Sequence, residues 1–198
     1  PSARPGSAGV NDVAVVSGGD AGVFGMAAAV FEAAATDESY AAVPVHVVPG
    51  ITAAHAASAL AGAFLGADHA LISLSDRLKP WSVVEARLRA AARADLAMAF
   101  YNPRSVSRPD QLGEALAVLR SELPGDRVVA IARNVGRDGE ELTVTTLSQL
   151  DPSTVDMSCL VLIGAASTRV TPTGRVWTPR WVPSRSSHPP LVASDDSS

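Results

Sequence analysis

Short runs rich in β-branched residues alternate along this chain with longer runs rich in alanine and leucine. The first kind of run is typical of buried strands and the second of helices. Their repeated alternation predicts an α/β fold with a mainly parallel sheet. Predicted strands cover 13–17, 43–48, 70–74, 96–101, 128–132, 141–146 and 159–163, and predicted helices cover 21–35, 52–61, 82–93 and 108–123.

The predicted helix at 108–123 has the clearest amphipathic pattern. Leucines at 112, 116, 119 and 123 share one face at helical spacing. Ser107 is expected to cap this helix, and Pro109 and Asp110 suit its first turn.

Composition narrows the class of protein. The chain has 198 residues, of which 47% are hydrophobic, so we expect a buried core. A net charge of −4 argues against a nucleic-acid partner. The single cysteine, Cys159, and four histidines without ligand spacing predict neither a disulfide framework nor a metal site. No apolar run reaches the roughly 18 residues of a membrane span, and no signal peptide is visible, so we expect a cytoplasmic protein.

Four regions are expected along the chain. Residues 1–11 and 183–198 are rich in small residues and proline, and they predict a flexible lead-in and a disordered tail. Residues 12–68 hold only two predicted strands, too few for a sheet, and are expected to be a partial N-terminal α/β domain. Residues 69–182 hold enough elements for a C-terminal α/β domain in which helices flank a mixed sheet.

A glycine-rich turn follows the first predicted strand, in the sequence Ser17-Gly18-Gly19-Asp20-Ala21-Gly22. A dinucleotide site needs a differently spaced G-x-G-x-x-G turn that faces pyrophosphate. The carboxylate of Asp20 would repel a diphosphate at this position. Asp20 is suited instead to accept hydrogen bonds from ribose hydroxyls, or it simply caps the following helix; the spacing alone does not choose between these roles.

Turn-forming or polar residues lie at the ends of five predicted strands, including the one before the glycine-rich turn. Ligands of α/β sheets lie beyond the carboxyl ends of strands, so these positions predict one shared cleft. They are Gly19-Asp20, Pro49 to Thr52, Tyr101 to Pro103, Arg133-Asn134 and Gly164-Ala165.

The segment after Tyr101 suggests how an anionic ligand would be bound. Asn102 precedes a proline and is therefore expected to be extended. Arg104 and Arg108 follow near a predicted helix start, where two guanidinium groups suit carboxylates. A solvated loop is the simpler interpretation for each arginine alone.

Taken together, these stretches resemble the tetrapyrrole methylase family over about residues 12–170. The stretches that carry the resemblance are 15–25, 48–54 and 101–105, joined by 71–76, 80–81, 108–112 and 133–137. Within the family they are most similar to the enzymes of cobalamin biosynthesis that methylate precorrin-3B at C17.

The resemblance implies a two-domain tetrapyrrole methylase-like fold with S-adenosylmethionine between the domains. It implies methylation of precorrin-3B at C17 with ring contraction to precorrin-4, and a homodimer. The cofactor-binding residues that it implies are Gly18, Gly19, Asp20, Val23, Thr52, Ala53, Asn102, Asn134 and Gly164. We expect Arg104, Arg108 and Arg133 to bind the acidic side chains of the substrate. No catalytic acid or base is identified, since methyl transfer depends chiefly on positioning.

One departure from the family pattern leaves alternatives open. The family begins with a strand and a Gly-x-Gly-Pro-Gly turn that this sequence lacks, so its N-terminal domain is expected to be incomplete. The chain is then either a piece of an active enzyme or an inactive remnant that serves as a dimerisation module. A methylase acting at another tetrapyrrole carbon is the third alternative.

Overall fold

The structure, a computed structural model, describes residues 13–181. The chain forms two compact units, the first ending at Thr52 and the second beginning at Ala53. The lead-in predicted at 1–11 and the tail predicted at 183–198 lie outside the described residues. A domain division between residues 68 and 69 stays a prediction.

The first unit contains one helix, α1 (Ala27–Thr36), and otherwise turns and extended backbone. The strands predicted at 13–17 and 43–48 are wrong, because neither segment pairs with another strand in the described chain. Val13 and Val16 are accordingly 85% and 88% exposed. The predicted helix starts late because the glycine-rich turn extends as far as Gly25, with Gly19 and Phe24 at positive φ.

The second unit contains three helices and eight strands in its described part. In chain order these are α2 (Ala53–Ala61), β1 (Gly62–Ala63), β2 (His69–Ser73), α3 (Trp81–Arg93), β3 (Ala97–Tyr101), α4 (Gln111–Glu122), β4 (Val128–Arg133), β5 (Glu141–Thr146), β6 (Cys159–Ile163), β7 (Arg169–Val170) and β8 (Val176–Trp177). A short 3-10 helix, Pro152–Thr154, precedes β6.

The main sheet has the strand order β2-β3-β6-β4-β5, and a smaller sheet has the order β1-β8-β7. Only β2 and β3 are parallel in the main sheet, while β6 runs antiparallel to both β3 and β4. The predicted α/β class with a mixed sheet flanked by helices is confirmed. The expectation of a mainly parallel sheet is wrong for this unit.

Strand direction decides which strand ends meet. Because β3 and β4 are both antiparallel to β6, the carboxyl ends of β2, β3 and β4 share one edge. The carboxyl end of β6 lies at the opposite edge, where the Gly164 N–H donates to the Val128 carbonyl at 2.8 Å. The prediction that all these strand ends line one cleft is therefore wrong for Gly164.

The core of the second unit lies on both faces of the main sheet. Along β3, Met98 and Phe100 pack with residues of α3 and α4 on one face, and Ala97 and Ala99 pack with α2 on the other. This is the alternation that a strand buried on both faces requires. The sheet is thereby held rigid between helices, and its edge offers a fixed platform for the loops that follow β2, β3 and β4.

Helix α4 begins later than predicted. Its N-cap residue is Asp110, without a side-chain cap, and the proposed cap Ser107 is wrong. Residues 105–108 instead form a tight turn in which Ser105 and Arg108 exchange two backbone hydrogen bonds of 3.0 Å. This turn fixes Arg108 just ahead of the helix.

Candidate functional site

Asp20 joins the two glycine turns of the first unit. Its Oδ1 accepts a hydrogen bond from the Gly22 N–H at 2.8 Å, and its Oδ2 accepts one from the Gly50 N–H at 3.1 Å. Asp20 caps no helix, since α1 begins only at Ala27. Its carboxylate therefore holds the two turns together and places a negative charge at their meeting point.

The two turns meet so closely that only glycine fits. A Cβ atom on Gly50 would lie 2.1 Å from the Gly19 carbonyl oxygen. Gly19 itself has a φ of 75°, in the left-handed region that favours glycine. Around Gly18, by contrast, an added Cβ would meet nothing within 4 Å, so the backbone there is open to a ligand.

In the second unit, the carboxyl end of β3 is tied to the start of α2. The Tyr101 hydroxyl accepts a hydrogen bond from the Ala54 N–H at 2.9 Å. That N–H is one of the first-turn donors that a helix cannot satisfy internally. Tyr101 belongs to one of the motifs noted in the sequence, but nothing in that motif predicts that its hydroxyl would bond to the start of α2.

Two asparagines follow strands that end at the same edge of the main sheet, on either side of β6. Asn102 after β3 and Asn134 after β4 have φ values of 52° and 49°. The expectation that Asn102 is extended is wrong, because asparagine tolerates the left-handed conformation and the turn requires it. Its Nδ2 donates to the Ser73 Oγ at 3.0 Å, which links the ends of β2 and β3.

The guanidinium of Arg133 is bound by the segment before β6. Its Nη1 donates to Asp156 Oδ2 at 2.7 Å and to Ser158 Oγ at 2.8 Å, and its Nη2 donates to the Thr154 carbonyl at 3.0 Å. The Arg133 guanidinium, together with hydrogen bonds from Ser158, holds the pKa of the Asp156 carboxyl well below its usual range.

Arg104 and Arg108 stand in the loop after β3 and differ in their surroundings. Arg104 Nε donates to the Pro109 carbonyl at 3.1 Å, and Arg104 lines two neighbouring cavities of about 350 and 620 Å³. The Nε and Nη1 atoms of Arg108 are buried and lack a hydrogen-bond partner in the described structure.

Gly164, at the far edge, belongs to a different polar cluster. Its carbonyl accepts a hydrogen bond from Arg127 Nη1 at 3.3 Å, and the same nitrogen donates to Asp95 Oδ1. Asp95 also accepts from the Ala166 N–H at 2.9 Å. Arg127 and Asp95 are 32 positions apart, so no local sequence pattern could have predicted their pairing.

Two kinds of feature do not occur in the part of the chain that the structure describes. Residues 13–181 contain no helix long and apolar enough to cross a membrane. They also contain no group of three or more His, Cys, Asp or Glu side chains placed to hold a metal ion.

Known proteins resemble this chain over most of its length. It is 48% identical over 178 residues to the cobalamin biosynthesis protein CobIJ of Mycobacterium tuberculosis, covering 86% of this chain and 34% of that protein. It is 48% identical over 159 residues to a precorrin-3B C(17)-methyltransferase of a Sinorhizobium species, covering 80% and 63%. The crystal structure of the methyltransferase CobJ superposes with a TM-score of 0.79 at 47% identity, covering 81% and 67%.

The chain thus spans about a third of one curated relative and under two thirds of the other. The model of one protein family matches residues 7–151, which include both glycine turns, the loop after β3 and the Arg133-Asn134 turn. By that match and by these relatives, the chain belongs to the tetrapyrrole (corrin/porphyrin) methylases.

Proposed function

We propose that the protein formed by this chain transfers a methyl group from S-adenosylmethionine to C17 of precorrin-3B, with contraction of the ring to precorrin-4. The proposal rests above all on the 48% identity to a protein named precorrin-3B C(17)-methyltransferase. A TM-score of 0.79 to the methyltransferase CobJ supports it at the level of the fold.

The residues of the first unit fit a cationic cofactor that carries hydroxyl groups. The backbone of Gly18 is open, and Asp20 places a carboxylate at the join between two turns. That charge disfavours a diphosphate and favours the sulfonium of S-adenosylmethionine. We assign Gly18, Gly19, Asp20 and Val23 to cofactor contacts in this unit, and Thr52 at its end.

In the second unit, the proposal assigns Ala53, Asn102 and Asn134 to cofactor contacts. Ala53 starts α2, whose first turn is held by Tyr101, and both asparagines follow strands at one sheet edge. Gly164 is left out of this set, because β6 runs in the opposite direction and carries it to the other edge.

The cofactor supplies an electrophilic methyl group, and the chain supplies positioning. Methyl transfer from a sulfonium needs an in-line approach of the accepting carbon, so proximity accounts for much of the rate. Arg104 and Arg108, which follow β3, are the groups that we assign to the carboxylates of the tetrapyrrole. Guanidinium groups bind carboxylates through charge-assisted hydrogen bonds and thereby fix the orientation of the ring.

Calorimetric titration with S-adenosylhomocysteine tests the cofactor assignment. We expect the chain to bind it and the Asp20→Ala variant to bind about tenfold more weakly, since a charge-assisted contact is lost. Asp37→Ala is the matched control, because Asp37 is an exposed acid of the same unit whose carboxylate accepts hydrogen bonds only from Ser39 in the described structure. Absence of binding by the unchanged chain would overturn the assignment.

Incubation with S-adenosylmethionine and precorrin-3B tests the substrate. We expect mass spectrometry to show a product that has gained one methyl group. A methylated product from a different precorrin only would support a methylase acting at another ring carbon.

A homodimer is part of the same proposal. A second candidate function is a binding module that transfers no methyl group. It is favoured by the first unit, where Thr52 is the one buried residue among those described and the other side chains are exposed or half-buried. Light scattering and the titration together distinguish the two functions. A stable dimer that binds S-adenosylhomocysteine supports the enzyme, and a stable dimer that does not bind it supports the module.

A further inference from the structure

We propose that Arg108 is the residue that anchors a carboxylate side chain of the tetrapyrrole, ahead of Arg104 and Arg133. The inference rests on the proposed function and makes its substrate contact specific. It depends on the hydrogen-bond partners of the three arginines, which differ sharply.

Arg108 has donors that nothing in the described chain satisfies. Its Nε and Nη1 are buried, and neither has a hydrogen-bond partner. The five ion pairs of the described structure do not include Arg108. Burying a guanidinium without a counter-ion costs free energy. An anionic ligand that accepts hydrogen bonds from these donors would offset that cost and explain their position.

The backbone around Arg108 keeps this side chain in place. Its N–H donates to the Ser105 carbonyl and its carbonyl accepts from the Ser105 N–H, each at 3.0 Å. Helix α4 starts three residues later, and the residue as a whole is half-buried. The guanidinium is thus carried by a fixed turn beside a rigid helix, which is the arrangement that orients a ligand.

The Asp76 carboxylate is already bound by a side chain of α4. Gln111 Nε2 donates to Asp76 Oδ2 at 3.2 Å, and the Gln111 Oε1 is buried without a partner. Asp76 is therefore bound to Gln111 and forms no ion pair with Arg108 within the described residues. The Gln111 oxygen, three residues beyond Arg108 in the chain, is a further buried polar atom without a partner in the described structure.

Arg133 and Arg104 are less suited to the same role. The Nη1 and Nη2 of Arg133 make three bonds to the segment before β6, including the ion pair with Asp156. The Nε of Arg104 donates to the Pro109 carbonyl. The pKa of Asp151 is lowered chiefly by hydrogen bonds from Ser153 and further by the charge of Arg104. Substitution of Arg133 is thus expected to affect chiefly the stability of the fold, and substitution of Arg108 is expected to affect ligand binding.

The test measures binding of uroporphyrin, a stable tetrapyrrole polycarboxylate, by fluorescence quenching on the full chain. We expect Arg108→Gln to weaken this binding about 10- to 100-fold, as loss of hydrogen bonds to a charged group would. Arg108→Lys should recover part of the affinity, because it keeps the charge but not the planar set of donors. Arg87→Gln is the control, since Arg87 is an exposed arginine of α3 and the charge change is the same.

Two further measurements separate ligand binding from a structural role. A cationic tetrapyridyl porphyrin, which lacks carboxylates, should bind Arg108→Gln no more weakly than the unchanged chain. Thermal unfolding of Arg108→Gln should occur at an unchanged or higher temperature, because an unsatisfied buried charge is removed.

The outcomes also separate this inference from the proposed function. If Arg108→Gln and Arg87→Gln bind uroporphyrin equally well, or if the unchanged chain does not bind it, the inference is wrong. Titration with S-adenosylhomocysteine in the same samples judges the proposed function on its own. Retained cofactor binding with uroporphyrin affinity independent of Arg108 would leave the methylase standing and remove only the anchor.

Discussion

Gly50 shows how one missing side chain shapes the first unit. A Cβ at this position would lie 2.1 Å from a backbone oxygen, and the Gly50 N–H donates a hydrogen bond to Asp20 Oδ2. The neighbour is backbone, which cannot rotate away as a flexible side chain can. The contact between the two turns therefore depends on glycine at residue 50.

We predict that Gly50→Ala separates the two turns. Overpacking of this kind costs about 1–3 kcal/mol, and the Asp20 bond to residue 50 would break. Hydrogen exchange should show a faster amide at residue 50, and titration should show weaker binding of S-adenosylhomocysteine. Gly113→Ala is the control: its Cβ would meet nothing within 4 Å in α4, so the helix should gain stability. Unchanged exchange at residue 50 would contradict the prediction.

Asp156 predicts a pH dependence of stability. Its pKa is lowered in the folded chain, first by the hydrogen bond from Arg133. A carboxyl whose folded pKa is depressed stabilises the fold above its unfolded pKa of about 3.9, and that contribution is lost as the pH falls below it. The side chains of Arg133 and Asp156 are 29% and 56% exposed, so the effect is small.

Asp156→Asn should lower the free energy of unfolding at pH 7 by roughly 0.2–1 kcal/mol, the range of exposed ion pairs. The difference from the unchanged chain should shrink as the pH is lowered from about 4 toward 3. Urea unfolding at both pH values measures it. The control is Asp138→Asn, an exposed acid without an ion pair in the described chain. A difference that grows on acidification would refute the assignment.

At the scale of elements, the Tyr101 hydroxyl connects β3 to α2. Ala54 is fully buried, so its N–H has no water to replace the tyrosine oxygen. The first turn of α2 consists of three alanines and His55, none with a side chain suited to capping. The start of this helix thus depends on a residue 47 positions away.

We predict that Tyr101→Phe lowers the free energy of unfolding by about 1–3 kcal/mol, the cost of leaving a buried donor unsatisfied. The amide of Ala54 should exchange faster while the amides of α4 stay unchanged. Tyr40→Phe is the matched control, because Tyr40 is 53% exposed. Equal stability of the two variants would show that the Ala54 N–H finds another acceptor.

At the scale of the whole chain, the buried core is unevenly distributed. Both clusters of buried apolar residues belong to the second unit. Helix α1 buries none of its 10 residues, whereas α4 buries Leu112, Ala115, Leu116, Val118 and Leu119. Isolated helices shorter than about 12–15 residues are marginal in water, so α1 has little to stabilise it.

Hydrogen exchange followed by mass spectrometry on the full chain should therefore show much faster exchange for α1 than for α4. The expected order follows from local stability, which depends on buried apolar contacts. Protection of α1 equal to that of α4 would show that a further surface covers it in solution.

The features of the fold that could be predicted from the sequence were those that depend on residues close together in the chain. Apolar periodicity located α3, α4, β4, β5 and β6 to within a few residues, and the glycine turns with the loop after β3 identified the family. Periodicity and turn chemistry depend on neighbouring residues, so they are visible without a fold. Capping by Ser107 failed although it is local, because residues 105–108 made their own turn instead.

The sequence by itself thus determined the class of fold, the family and most of the elements of the second unit. Only the tertiary structure decided that β6 runs against its neighbours and takes Gly164 away from the other strand ends. It also decided that 13–17 and 43–48 form no strands, and that Arg133 is paired while Arg108 is not. The reason is physical: strand pairing and ion pairing join residues far apart in the chain, and a local pattern does not encode which partner each will meet.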